Sequence, residues 1–104
     1  QKAPKQAGER TVTSKQYERN PYVSMRTKRR AKGFCELCES AAPFNDASGQ
    51  PYLETHHIDW LARGGEDTLQ NTVALCPNCH RKMHVVDDPE DKARLKRLIG
   101  QRTT

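Results

Sequence analysis

Two C-x-x-C pairs, Cys35/Cys38 and Cys76/Cys79, constrain this chain more than any other feature, and they use every cysteine it has. A C-x-x-C turn brings two sulfurs close enough to share an ion. A second such turn completes a tetrahedron of thiolates, a set that suits one structural Zn²⁺. The 37 residues from position 39 to 75 lie between the pairs, so the ion would close a long loop and its binding free energy would become folding free energy. A chain of 104 residues that is 34% hydrophobic and 30% charged needs such a staple, because its core is thin. Disulfides would be the alternative in a secreted protein. No apolar signal-peptide region opens this sequence, and no run is long enough to cross a membrane. A cytoplasmic protein is therefore expected. The opening Gln1, with no Met, is what a fragment or a processed product would show.

All four histidines fall between positions 56 and 84, outside the cysteine set. His80 and His84 are spaced i, i+4, which stacks two imidazoles on one helix face where they can grip a cation. Cys79 precedes His80 directly, and neighbouring helix residues point about 100° apart, so one helix can serve two separate metal sites. His56 and His57 close a stretch rich in strand formers. Adjacent strand residues point to opposite sides, so one can bind metal while the other faces a substrate.

The coarse order of elements is a small α+β fold. Residues 1–13 read as a flexible basic arm or linker, and residues 14–104 as one domain. Ser14 can cap a short helix over 15–19, which Asn20-Pro21 would end. A helix over 23–32 stops at Gly33. Residues 43–51 are a turn-rich loop, 52–58 a strand, 59–71 a long loop and 72–75 a second strand. Pro77 begins a helix reaching about residue 86, and Asp88-Pro89 begins the last one, with Ala93, Leu95, Leu98 and Ile99 as its apolar side. Trp60 and Phe44 read as core in so small a protein. The charge is uneven: residues 1–34 carry ten Lys/Arg against two Glu, whereas residues 35–84 carry three Lys/Arg against seven Asp/Glu. A basic segment joined to an acidic, His-rich one suits phosphate neutralisation by the former and cation binding by the latter. Arg26, Lys28, Arg29 and Arg30 are the candidates for DNA backbone contacts, with Arg63 beside Gly64-Gly65 as another.

The stretch Leu53-Glu54-Thr55-His56-His57-Ile58, then Gly64-Gly65-Glu66-Asp67, Asn71, Leu75-Cys76-Pro77-Asn78-Cys79-His80 and His84, resembles the HNH endonucleases, and the resemblance spans residues 34–85. It implies a ββα-metal, treble-clef-like core (motif core 34–86) stapled by the structural zinc, with flanking N- and C-terminal helices. His57, Asn71 and His80 would be the name-giving catalytic positions. The resemblance makes His57 the general base and places His56 and His80 on a catalytic divalent ion (Mg²⁺, Mn²⁺, Ni²⁺ or Zn²⁺), with His84 as a third ligand or a contact to the scissile phosphate. Asn71 would fix the loop and hold the His57 ring by hydrogen bonding. Glu54, two residues before His56, could orient a ligand or pair with an arginine.

The implied activity is hydrolysis of DNA phosphodiesters by the cleavage domain of a larger restriction-type enzyme, prokaryotic or phage-encoded. A homodimer could serve double-strand cleavage. The alternatives are a bacterial toxin-type DNase with an immunity partner, or a non-catalytic zinc module that binds DNA. A neutral imidazole with a pKa near about 6.5 can act as base at neutral pH, and one divalent cation can stabilise the charge that develops on the phosphate.

Overall fold

The computed structural model describes residues 20–102. The arm expected over 1–13 and the helix expected over 15–19 lie outside the described residues. Helix α1 spans Pro21–Ala31 and begins two residues before the sequence suggests. Asn20-Pro21 starts this helix, since the Asn20 side chain accepts from the Tyr22 N–H at 2.9 Å and Pro21 fills the first turn. Its end is marked by Lys32, itself left-handed at φ 56°, immediately before Gly33. The first cysteine knuckle follows, closed by the Phe34–Ala41 bridge and by the Cys35 N–H donating to the Ser40 carbonyl at 2.9 Å.

Strands β1 (Glu54–His57) and β2 (Thr72–Leu75) pair antiparallel, with His56 opposite Val73 and His57 opposite Thr72. Only four residues of the expected 52–58 strand join the ladder, because β2 offers only four partners. The connecting loop contains two 3₁₀ turns, Leu61–Arg63 and Leu69–Asn71. Gly65 is required there by close approach: a Cβ at that position would lie 1.8 Å from the Asp59 carbonyl oxygen. Helix α2 (Pro77–Val85) leaves β2 through Cys76, whose sulfur accepts from the Cys79 N–H, and helix α3 spans Pro89–Arg102 behind its Asp88 cap.

The core gathers Leu37, Ile58, Val73, Leu75, Met83, Leu95 and Ile99 around Cys35, with Cys76 and Cys79 packed against it. Of the expected apolar side of α3, Leu95 and Ile99 are buried, Leu98 is half-buried and Ala93 is exposed. Phe44 corrects the expectation of a core residue: it is 56% exposed and stacks on Tyr52 at 4.8 Å between ring centroids.

Arg30 is a second correction. Its guanidinium turns inward, bonding both carboxylate oxygens of buried Glu36 at 2.9 and 2.8 Å and the Leu69 and Thr72 carbonyls at 3.0 and 2.6 Å. Those bonds occupy the groups a DNA phosphate would need, so Arg30 holds α1 against the knuckle and β2 instead. Glu36 also accepts from the Ala74 N–H and from Arg102, both at 2.9 Å, which ties the knuckle to the sheet and to α3. Arg30→Ala leaves that buried carboxylate short of its main partner and is expected to cost about 3 kcal/mol, whereas exposed Arg29→Ala should be near neutral. Urea denaturation of the two variants checks the difference.

Candidate metal centre and catalytic cavity

The four cysteine sulfurs all lie within 4.8 Å of one another, and so do the ligating nitrogens of His56, His80 and His84. These two clusters are separate, as the adjacency of Cys79 and His80 on α2 requires. Each could hold a metal ion. In the sulfur cluster, desolvation opposes ionisation at Cys38, yet the Ser40 backbone and side chain and the neighbouring sulfurs bring its thiol down to about 6. Burial foremost, helped by the Cys35 sulfur, pushes the Cys76 and Cys79 thiols up. Cys38 thus favours its thiolate while Cys76 and Cys79 resist ionisation, a resistance that a bound cation would offset.

The imidazole cluster is assembled by β1 and α2. His80 and His84, one turn apart, bring their Nε2 atoms to 3.3 Å. His56 is buried beneath them, with ring centroids 5.1 Å from His80 and 4.9 Å from His84. On the far side of His80, Nδ1 meets Glu54 Oε1 at 2.8 Å, and Tyr52 Oη donates to Glu54 Oε2 at 2.7 Å. The Tyr52 hydroxyl first, then His80, holds the Glu54 carboxyl below the usual carboxylate range, and the same contact pushes Tyr52 up. A carboxylate behind a ligating imidazole fixes its tautomer with Nε2 free to bind, so Glu54 does orient a candidate ligand.

His57, next on β1, lines the same cavity of about 200 Å³ as His56, His80, His84, Trp60 and Leu61. Its Nε2 lies 2.8 Å from Asp67 Oδ1. The expectation that Asn71 holds this ring is corrected. The Asn71 side chain accepts from the Asp59 N–H at 2.8 Å and donates to the Asp59 and Glu66 carbonyls at 3.0 and 2.7 Å. Asn71 therefore fixes the loop, and the loop delivers Asp67 to the ring. Within the sequence Asp67 carried no signal beyond its place after Gly64-Gly65, because nothing local to it indicates a partner ten residues away.

Trp60 forms part of the cavity wall, 4.9 Å from the His84 ring, and the Arg63 guanidinium lies over Trp60 at 4.0 Å while bonding Asp87 at 3.2 Å. Arg63 is thus placed beside the cavity. Arg26, Lys28 and Arg29 are exposed along α1, with Arg26 over the Tyr22 ring at 5.5 Å.

The HNH endonuclease family model matches residues 35–85, the stretch that holds the antiparallel strand pair, the helix closing on three imidazoles and the four-cysteine knuckle. Among individual proteins, the chain is similar to the type IV methyl-directed restriction enzyme EcoKMcrA of Escherichia coli (strain K12), 51% identical over 70 residues. That match covers 67% of this chain and 25% of the enzyme, so the chain spans about a quarter of the curated relative's length. The solved type IV phosphorothioation-dependent restriction endonuclease ScoMcrA superposes with a TM-score of 0.70 at 28% identity, over 88% of this chain and 21% of that one.

Proposed function

We propose that this chain is the cleavage domain of a restriction-type enzyme and hydrolyses DNA phosphodiester bonds with a divalent cation. The observation that carries the proposal is the convergence of His56, His80 and His84 on one point beside His57, in one cavity. The 3.3 Å between the His80 and His84 nitrogens matches the edge of a tetrahedron with metal–nitrogen bonds of about 2.0–2.1 Å. Likewise the 4.0 Å between the Cys38 and Cys76 sulfurs is close to the edge, about 3.8 Å, of a zinc–thiolate tetrahedron. Both donor sets fit the ions assigned to them: Zn²⁺ at the cysteines, and a catalytic divalent ion at the histidines.

When bound, the catalytic cation supplies Lewis-acid stabilisation of the phosphate and its leaving oxygen. His57 takes the proton of the attacking water. Glu54 keeps His80 in its ligating tautomer, and Asn71 keeps the loop from Asp59 to Glu66 closed against the cavity. Arg26, Lys28 and Arg29 on α1, with Arg63 at the cavity, neutralise DNA phosphates. All these groups address the phosphodiester backbone, which carries no sequence information, so choice among DNA targets needs contacts beyond them. The relatives' dependence on modified DNA suggests that such an enzyme selects modified targets.

Metal-stripped protein reloaded at the cysteines should nick supercoiled plasmid only when a divalent ion is returned. Three imidazoles suit Ni²⁺ or Zn²⁺ better than the oxygen-preferring Mg²⁺, so half-maximal activity should need at least about tenfold less Ni²⁺ than Mg²⁺. No cleavage with any ion, on folded protein, would leave a DNA-binding module as the better account.

A further inference from the structure

We infer that Asp67 is the positioning residue of the catalytic base, selecting the His57 tautomer that can accept a proton. The inference rests on the role proposed for His57. A carboxylate only accepts hydrogen bonds, so the 2.8 Å contact to Asp67 Oδ1 requires His57 Nε2 to carry the hydrogen. Nδ1 is then the unprotonated nitrogen of the neutral ring, and the one that can take a proton from water. Without Asp67 the ring is free to exchange tautomers and to rotate, and a fraction of the molecules would present an N–H where a lone pair is needed.

Three features show that the contact is built in. Asp67 is one residue from Glu66, whose carbonyl is bonded by Asn71, so the loop position of the carboxylate is set independently of His57. Neighbouring Thr68 is held as well, because its carbonyl accepts from the buried Thr72 hydroxyl at 2.6 Å. The other carboxylate oxygen, Oδ2, accepts the backbone N–H of Asn20, the cap of α1. One side chain therefore joins the base to the start of the helix that carries Arg26, Lys28 and Arg29. That helix keeps its own anchor through Arg30, so removing Asp67 should not release it.

The test uses the 104-residue chain with Zn²⁺ at both clusters, and compares the parent with Asp67→Ala, Asp67→Asn and His57→Ala. Histidine ¹⁵N chemical shifts report the His57 tautomer without reference to activity. The parent should be in the Nε2–H form, and Asp67→Ala should give a mixture. In plasmid nicking, Asp67→Ala should lose roughly 10–100-fold in kcat, by analogy with the loss of partners that orient metal-bound histidines, while KM for DNA changes by less than about threefold. Asp67→Asn is nearly isosteric and keeps the fold, and its amide can face His57 by either end. Across the three forms, kcat should therefore follow the Nε2–H fraction. A parent in the Nδ1–H form would overturn the inference, as would an Asp67→Ala variant that keeps the parent's tautomer or kcat. If His57→Ala nicks as fast as the parent, the general-base role falls instead, and the tautomer measurement still decides whether Asp67 orients the ring.

Discussion

His57→Ala is expected to lower the nicking rate by about 10²–10⁴-fold, the range for losing a positioned general base. Fold, ion content and DNA affinity should stay close to the parent's. His57 ligates nothing in the cluster of His56, His80 and His84, and its loss removes one hydrogen bond, to Asp67. The cost in stability should then be about 1 kcal/mol. His84→Ala provides the contrast. It removes one of the three imidazoles proposed to hold the ion, so its activity should fall through weaker ion binding and recover in part as the ion concentration is raised. His57→Ala should not recover at any ion concentration. Single-turnover nicking of supercoiled plasmid across an Ni²⁺ titration separates the two. Parent-like cleavage by His57→Ala would mean that another group takes the proton.

The parts of this molecule that were legible in the sequence are those whose chemistry is local. The i, i+4 spacing of His80 and His84 fixes one helix face, and Pro77 after Cys76 fixes where that helix begins. The C-x-x-C turns place two sulfurs each without help from the rest of the chain. Strand β2 was bounded by Asn71 on one side and Cys76 on the other, and both limits hold. Asn20-Pro21 reads in the sequence as the stop of a preceding helix, yet it caps and begins α1, because the same dipeptide can serve either end. Arg30 could not be told from Arg29, since their chemistry is identical and only the packing of α1 decides which of them meets Glu36. Phe44 looked like core from its size, yet it stacks on Tyr52 at the surface. The link from Asn71 to His57 was misplaced for the same reason. It runs through a loop whose closure depends on Gly65 meeting the Asp59 carbonyl, a contact that spacing alone does not reveal.

Cys35→Ser should have the largest effect on the fold: loss of the structural ion together with the cooperative thermal melt. Cys35 is both a member of the sulfur cluster and a buried centre of the main core, and Cys76 and Cys79 pack against that core. Cys76 also caps α2, the helix that presents His80 and His84. Glu36, between the two cysteines of the first knuckle, carries the bonds to Arg30, Arg102 and the Ala74 N–H. An ion held by all four sulfurs therefore ties β2, α2 and the knuckle at one point, and through Glu36 it reaches α1 and α3. Zinc binding by small structural sites is worth roughly 10–16 kcal/mol, while a domain of this length is expected to have about 5–15 kcal/mol in total. Removing the ion should consume the whole margin. Zinc content and circular dichroism melts of Cys35→Ser, and of the parent under a strong chelator, check this. Both should lose the sigmoidal transition, and a melt unchanged in either would refute a structural role for the ion. The catalytic cluster gives the control: His84→Ala should lose nicking at low ion concentration while keeping its melt. Those outcomes together would divide the two clusters by function, the sulfurs holding the fold and the imidazoles serving the chemistry.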